Sequence, residues 1–241
     1  MQGGRLFLAA LAAVSMLSLP VTEAAAQRRP AARPAVARDW TRVAVRTPDG
    51  VRIGNPAAPV KLVEYGSITC PHCAAFANEG GTAGLYRYIR TGRVSWEYRP
   101  YVIFPTDPGM FAGLNCLAPG AFFPTLERLY ATQRSWVSLV QTWLEANQSQ
   151  VQAMSGPQRS LAMFRAGRVE GVYRAGGLTP AQINACVGNP ANLQRVVGGN
   201  RRAEAQANFA GTPGFYINGT NAPVVTWDQL EPILIQAGAR R

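Results

Sequence analysis

The spacing of apolar positions alternates short strand-like runs with one long helical stretch. Between Trp40 and Ile53, a brief alternation at Val43 and Val45 and the Asp49-Gly50 turn signal predict a hairpin or edge strands. The run from Pro59 to Tyr65 is the strongest strand signal in the chain; it stops at Gly66-Ser67, and Cys70 follows at once. The period then turns helical. Phe76, Leu85, Tyr86 and Ile89 outline a helix bent or broken at Gly80-Gly81. A second strand is expected from Arg93 to Val102, where Val94, Trp96 and Tyr98 alternate. From about residue 108 to 209 the pattern is helical, in pieces broken at Pro119, Pro124, Gly156-Pro157, Gly176-Gly177 and Pro190. Thr179 and Pro180 supply an N-cap and a first helical position for one of those pieces. Strands return at Gly214 to Asn218 and at about Ala222 to Val225, joined through the hairpin dipeptide Asn218-Gly219. Thr226 then opens a last helix running to about Ala237. The expected fold class is therefore α/β: a βαβ half and a ββα half in one domain, with an all-helical insertion between them. No internal repeat is visible.

Ahead of that domain the pattern changes character. Arg5 precedes an apolar run from Leu6 to Leu19, followed by Pro20 and the small residues Ala24 to Ala26. This is the order of a secretory signal peptide, and residues 1–26 are expected to be one. The run is shorter than the roughly 20 residues that cross a bilayer, although an uncleaved anchor is the alternative. Residues 27–39 are rich in Pro, Ala and Arg without an apolar period and read as a tether, which leaves the folded domain at 40–237.

Charge changes the picture little. The net charge is +11, and Lys61 is the only Lys among 24 Lys and Arg. A nucleic-acid partner is not expected, because the arginines are spread along the chain and no nucleic-acid motif accompanies them. A basic surface with some preference for acidic membranes or acidic clients is the plainer reading.

The candidate chemistry lies in four cysteines. An exported protein meets an oxidising compartment in which disulfides persist. Cys70-Pro71-His72-Cys73 sits where a buried-type strand meets a helix start. A thiolate nucleophile is favoured there by unpaired N–H groups and the positive end of the helix dipole. Pro71 loses no hydrogen bond at an early helical position, and His72 can add a donor or partial charge beside the sulfur. Cys73, two residues further on, can close the ring as resolving thiol. A zinc site would need further ligands at suitable spacing, whereas His72 is the only His and Cys116 and Cys186 stand alone. No metal or organic cofactor is expected. Phe104, Phe111, Phe122, Phe123, Trp136 and Trp143 can line a client groove, but at helical spacing such residues more often belong to the core.

The segment from Val63 to Cys73, Glu64 and the CPHC motif included, resembles the active-site strand and motif of the DsbA-like thiol:disulfide oxidoreductases. The stretch from Gly211 to Gly219 is similar to that family's cis-proline loop and following hairpin. The likeness spans roughly residues 40 to 237. It implies a thioredoxin-like fold, with Cys70 as attacking nucleophile, Cys73 as resolving thiol and His72 tuning the potential. It also implies that Thr212 and a cis Pro213 face the disulfide and pair with client backbone. Glu64 matches a buried acid that handles protons near the second cysteine; the strand's alternation also fits an exposed Glu. Cys116 and Cys186 match a second, structural bridge in some relatives, which would close a loop of about 70 residues and stabilise by roughly 4 kcal/mol on a chain-entropy model.

The function implied is a periplasmic, monomeric disulfide oxidase acting on unfolded or reduced exported proteins and re-oxidised by a membrane redox partner. A reductase or isomerase would use the same residues. The short segment ahead of the domain favours the oxidase, since isomerases of this type bring a dimerisation domain there. A non-catalytic, chaperone-like peptide-binding module is the rival from a different class. Glutathione conjugation is disfavoured because it does not need the second cysteine.

Overall fold

The computed structural model describes residues 38–240. The expected signal peptide and nearly all of the expected tether lie outside these residues.

A six-stranded sheet organises the domain, in the order β1-β2-β4-β3-β5-β6. The strands are β1 (Ala44–Arg46), β2 (Val51–Gly54), β3 (Val60–Gly66), β4 (Val94–Pro100), β5 (Gly214–Ile217) and β6 (Thr220–Ala222). β3 and β4 run parallel; every other neighbouring pair is antiparallel. This is the expected thioredoxin-like arrangement. Central β3 pairs with β4 on one side and β5 on the other, so Glu64 lies between Tyr98 and Phe215 in the register.

The parallel β3–β4 step needs a crossover. It is supplied by α1 (Pro71–Phe76) and α2 (Thr82–Arg90), joined by a wide turn at Ala77–Gly81. The bend at Gly80-Gly81 has two physical causes. Gly80 has φ +103°, a region other residues enter at a cost, and a side chain on Gly81 would strike the Phe76 carbonyl. At the sheet's other end Asn218 and Gly219 both have positive φ, as a two-residue hairpin of this kind requires.

Between β4 and β5 run eight helices: α3 (Asp107–Leu114), α4 (Pro119–Ala131), α5 (Gln133–Ala146), α6 (Gln148–Ala153), α7 (Gly156–Ala166), α8 (Glu170–Ala175), α9 (Pro180–Val187) and α10 (Pro190–Glu204). They form the helical insertion. α11 (Trp227–Gln236) closes the fold. Thr179 caps α9 and Thr226 caps α11, each in a reciprocal pair with the Gln three residues on.

Two expectations are corrected. The strand placed at about Ala222 to Val225 is β6, Thr220–Ala222. The tight turn puts Thr220 directly opposite Ile217, and Pro223, with no N–H to donate, ends the pairing. Pro124 does not break its helix. It lies inside α4 on the exposed side, where water can satisfy the carbonyl that its ring leaves free.

The core packs against the helix-covered faces of the sheet. Phe111, Phe122, Phe123 and Trp136 are buried in it and Trp143 is half-buried at its edge, so these aromatics are packing residues. Phe104 is the exception, exposed in the loop between β4 and α3. Cys116 and Cys186 are bonded to each other, tying the segment after α3 to α9 with Cα atoms 6.3 Å apart.

Candidate active site

β3 carries the chain to Gly66. After it, Ser67, Ile68 and Thr69 make a turn in which the Cys70 N–H donates to the Ser67 carbonyl at 3.2 Å. Cys70 is the N-cap of α1, with extended backbone angles, and Pro71 takes the first helical position. Cys70 and Cys73 are unbonded, so this is the dithiol form. The two sulfurs are unequal. Cys70 is 5% exposed and Cys73 fully buried, so only Cys70 has a face toward an incoming reagent.

Cys70 faces the Thr212–Pro213 peptide, which is cis, and its Sγ donates to the Thr212 carbonyl at 3.3 Å. Its proton affinity is pulled down to about 5. The largest cause is the hydrogen bond from the Cys73 thiol; the Thr212 side chain and the backbone N–H groups of Cys73 and His72 add to it, against the desolvation of burial. The Thr212 hydroxyl is buried and has no other partner, which leaves it available to the sulfur. His72 acts through its backbone N–H, while its imidazole is exposed. Cys73 moves the opposite way. Burial, the hydrogen bond to Cys70 and the charges of Cys70 and Glu64 hold its proton far more tightly than a free thiol does.

Glu64 is 2% exposed. Desolvation raises its carboxyl to about 8, opposed by the Trp96 side chain and reinforced by the Cys70 charge. Its Oε2 and the Trp96 indole N–H are buried without a hydrogen-bond partner.

Several residues at the site escaped the sequence reading. The buried Asp107 carboxylate accepts hydrogen bonds from Ser67 and Thr69. Gln133 Nε2 donates to the carbonyls of Ile68 and Cys70, both at 2.9 Å. The hydroxyls of Tyr98 and Tyr130 lie 2.7 Å apart, and Tyr130 donates to the Ser67 carbonyl. Nothing in the local pattern singles out Asp107, Gln133 or Tyr130, and Tyr98 reads there only as one of the alternating residues of its strand. Beside α1 a groove of ≈ 620 Å³ is lined by residues including Thr69, Pro71, Asn78, Tyr130 and Arg134. Among the described residues, no three or more of His, Cys, Asp and Glu are grouped so as to hold a metal ion. Cys116 and Cys186 are bonded to each other and belong to the insertion.

This constellation, a cysteine pair at a helix start beneath a cis-proline loop, invites comparison with known proteins. A family model described as thioredoxin matches residues 46–235. The chain belongs to the thioredoxin family. A protein-disulfide isomerase structure from Novosphingobium aromaticivorans superposes with a TM-score of 0.70 at 28% identity, covering 78% of this chain and 96% of that one. Wolbachia pipientis alpha-DsbA1 superposes with a TM-score of 0.63 at 16% identity, covering 80% and 92%; at that identity it speaks to the thioredoxin-like fold alone. A Rickettsia conorii protein named "Putative protein-disulfide oxidoreductase" is 23% identical over 69% of this chain and 52% of its own length. The chain thus spans about half the length of the curated relatives it matches.

Proposed function

We propose that the protein is a thiol:disulfide oxidoreductase that introduces disulfides into exported proteins. The observation that carries this reading is the opposed poise of the two sulfurs, Cys70 an accessible thiolate and Cys73 a buried thiol. In the oxidised enzyme, a client thiolate attacks Cys70 Sγ. The Cys70–Cys73 bond breaks, a client–Cys70 mixed disulfide forms, and Cys73 leaves with the electron pair. Glu64, protonated at neutral pH, supplies the proton that Cys73 takes up. A second client thiolate attacks the client sulfur of the mixed disulfide and expels Cys70 as a stable thiolate. The client is oxidised by two electrons and the enzyme reduced by two. The electrons pass from sulfur to sulfur, so the exchange itself calls for no cofactor.

Thr212 and Pro213 are assigned to the client backbone. A proline has no N–H to compete beside the sulfurs, and the loop before β5 borders Cys70, where an extended peptide can lie. Re-oxidation requires a disulfide-bearing partner, which we place in the membrane, and the site of action in the periplasm. No described helix is long and apolar enough to cross a membrane.

The test separates the oxidase from its rivals by supplying two clients. Catalytic amounts of enzyme with glutathione disulfide are expected to speed the oxidation of a fully reduced, unfolded client by at least about tenfold, while reshuffling a fully oxidised, scrambled client little. Efficient reshuffling with slow oxidation would make it an isomerase. Client binding with no change in thiol content would make it a peptide-binding module.

A further inference from the structure

Between the end of β3 at Gly66 and the start of α1 at Pro71 no secondary structure holds the chain, yet the direction of Cys70 Sγ is decided there. The turn is held instead by side chains, and the centre of that hold is Asp107, the first residue of α3, whose side chain is fully buried. Its carboxylate accepts four hydrogen bonds. Ser67 Oγ donates to Oδ2 at 2.9 Å and Thr69 Oγ1 to Oδ1 at 2.8 Å. The backbone N–H groups of Ile103 and Phe104 donate to Oδ2 at 2.7 and 3.1 Å. Ser67 Oγ also accepts from the Thr69 N–H at 3.2 Å, so the two hydroxyl residues and the carboxylate close on one another.

A buried carboxylate is costly unless donors surround it, and this one is surrounded. The bonds from Ile103 and Phe104 hold the loop that leads from β4 into α3. Those from Ser67 and Thr69 come from the turn after β3, the strand beside β4. Those two bonds join the turn before Cys70 to the loop after β4.

We infer that Asp107 is a positioning residue of the exchange reaction: by gripping both Ser67 and Thr69 it fixes the turn that delivers Cys70 Sγ to the first turn of α1 and to Thr212. This rests on the reading of Cys70 as nucleophile. Asp107 touches neither sulfur and acts only through the turn. With the grip released, Cys70 no longer holds one direction relative to the N–H groups and the hydroxyl that stabilise its thiolate, and the thiolate becomes less populated at a given pH.

The experiment follows alkylation of Cys70 by iodoacetamide against pH, located by mass spectrometry, in the reduced full-length protein. Asp107→Asn keeps the size of the side chain and removes the fully accepting carboxylate. Thr69→Val keeps the volume and removes a single bond to it. Both are expected to move the alkylation midpoint upward, by about one pH unit or more for Asp107→Asn, with a matching tenfold change in the glutathione equilibrium, about 30 mV toward a weaker oxidant. Each variant's melting temperature is recorded alongside, since a role confined to stability would lower it without moving the midpoint of the folded protein. An unchanged midpoint in the folded variants overturns the inference. A midpoint that falls overturns it too, because the carboxylate would then act by its charge and not by placement. If Asp107→Asn does not fold, Thr69→Val decides alone. A wild-type midpoint in the range of ordinary thiols is a different failure: it removes the functional reading itself, and the inference with it.

Discussion

Replacing Cys70 with Ser is expected to drop exchange to the uncatalysed background, whereas in Cys73→Ser the Cys70 thiolate still attacks a client disulfide, releases one client thiolate, and accumulates as the client mixed disulfide. The asymmetry follows from access and proton affinity together. Cys70 is the sulfur with an exposed face, and its thiol is pulled down to about 5, so it is almost wholly thiolate at neutral pH. Cys73 is buried and holds its proton tightly, so it reacts only with the sulfur beside it. Without Cys73, a mixed disulfide on Cys70 has no internal thiol to resolve it. Gel mobility of trapped complexes under non-reducing conditions, reversed by reductant, checks both variants. The same poise sets a pH dependence of stability. The folded-state value of Cys70 lies below the ordinary thiol value of 9.0, so the reduced form gains stability from the thiolate. That gain is complete above about 9 and is lost as the pH falls through about 5. In the wild type the Glu64 carboxyl offsets this rise up to about 8, so denaturant melts of the reduced Glu64→Gln variant are expected to show stability rising with pH across that window.

Glu64→Gln is expected to make the protein more stable and a slower catalyst at once. The carboxyl is raised from 4.5 to about 8 by burial, so the folded protein keeps a proton that the unfolded chain gives up. The sign is therefore unfavourable at neutral pH: stability is intact below about 4.5 and is lost progressively up to about 8. At pH 7 that penalty amounts to about 3 kcal/mol at most, and Gln, which does not ionise, removes it. Catalysis moves the other way. Cys73 must gain a proton when it leaves and lose one when the enzyme is re-oxidised, and a buried acid with a value near 8 can serve both steps. Its loss is expected to slow the reaction by roughly a hundredfold, within the range for general acid–base groups. Stopped-flow tryptophan fluorescence and thermal melts on the same sample check the pair. A Glu64→Gln variant that melts higher but exchanges at the wild-type rate would leave Glu64 without a role in proton transfer.

The fold was legible where local chemistry sets the outcome. The β3 run, the Gly80-Gly81 bend, the Asn218-Gly219 turn and the Thr179 and Thr226 caps each rest on residues whose backbone preferences or side-chain bonds act within a few positions. The errors came where a local signal was outweighed. Pro124 reads as a breaker, but its place on the exposed side of α4 lets water satisfy the freed carbonyl. The apolar pair Val224 and Val225 reads as strand, but the turn fixed the register earlier and Pro223 closed it. At the site, the CPHC motif is legible because its chemistry is compressed into four consecutive residues. The hold on it is not. Asp107 and Gln133 lie far along the chain from the turn they grip, and Tyr98 meets Tyr130 only through the packing of α4 on the sheet. Whether Glu64 is buried or exposed was likewise undecidable from the β3 alternation, since β3 is covered on both faces toward its C-terminal end.

The central claim is that the Cys70–Cys73 couple is poised to oxidise, and its reduction potential tests that most directly. Purified reduced protein is equilibrated with glutathione buffers at pH 7 and the dithiol fraction is read by alkylation. A first thiol near 5, against about 7 in thioredoxin, favours the reduced form by roughly fiftyfold, or about 50 mV. The account therefore predicts a potential of about −220 mV or higher, against roughly −270 mV for thioredoxin. A value at or below thioredoxin's would contradict it and make the protein a reductase.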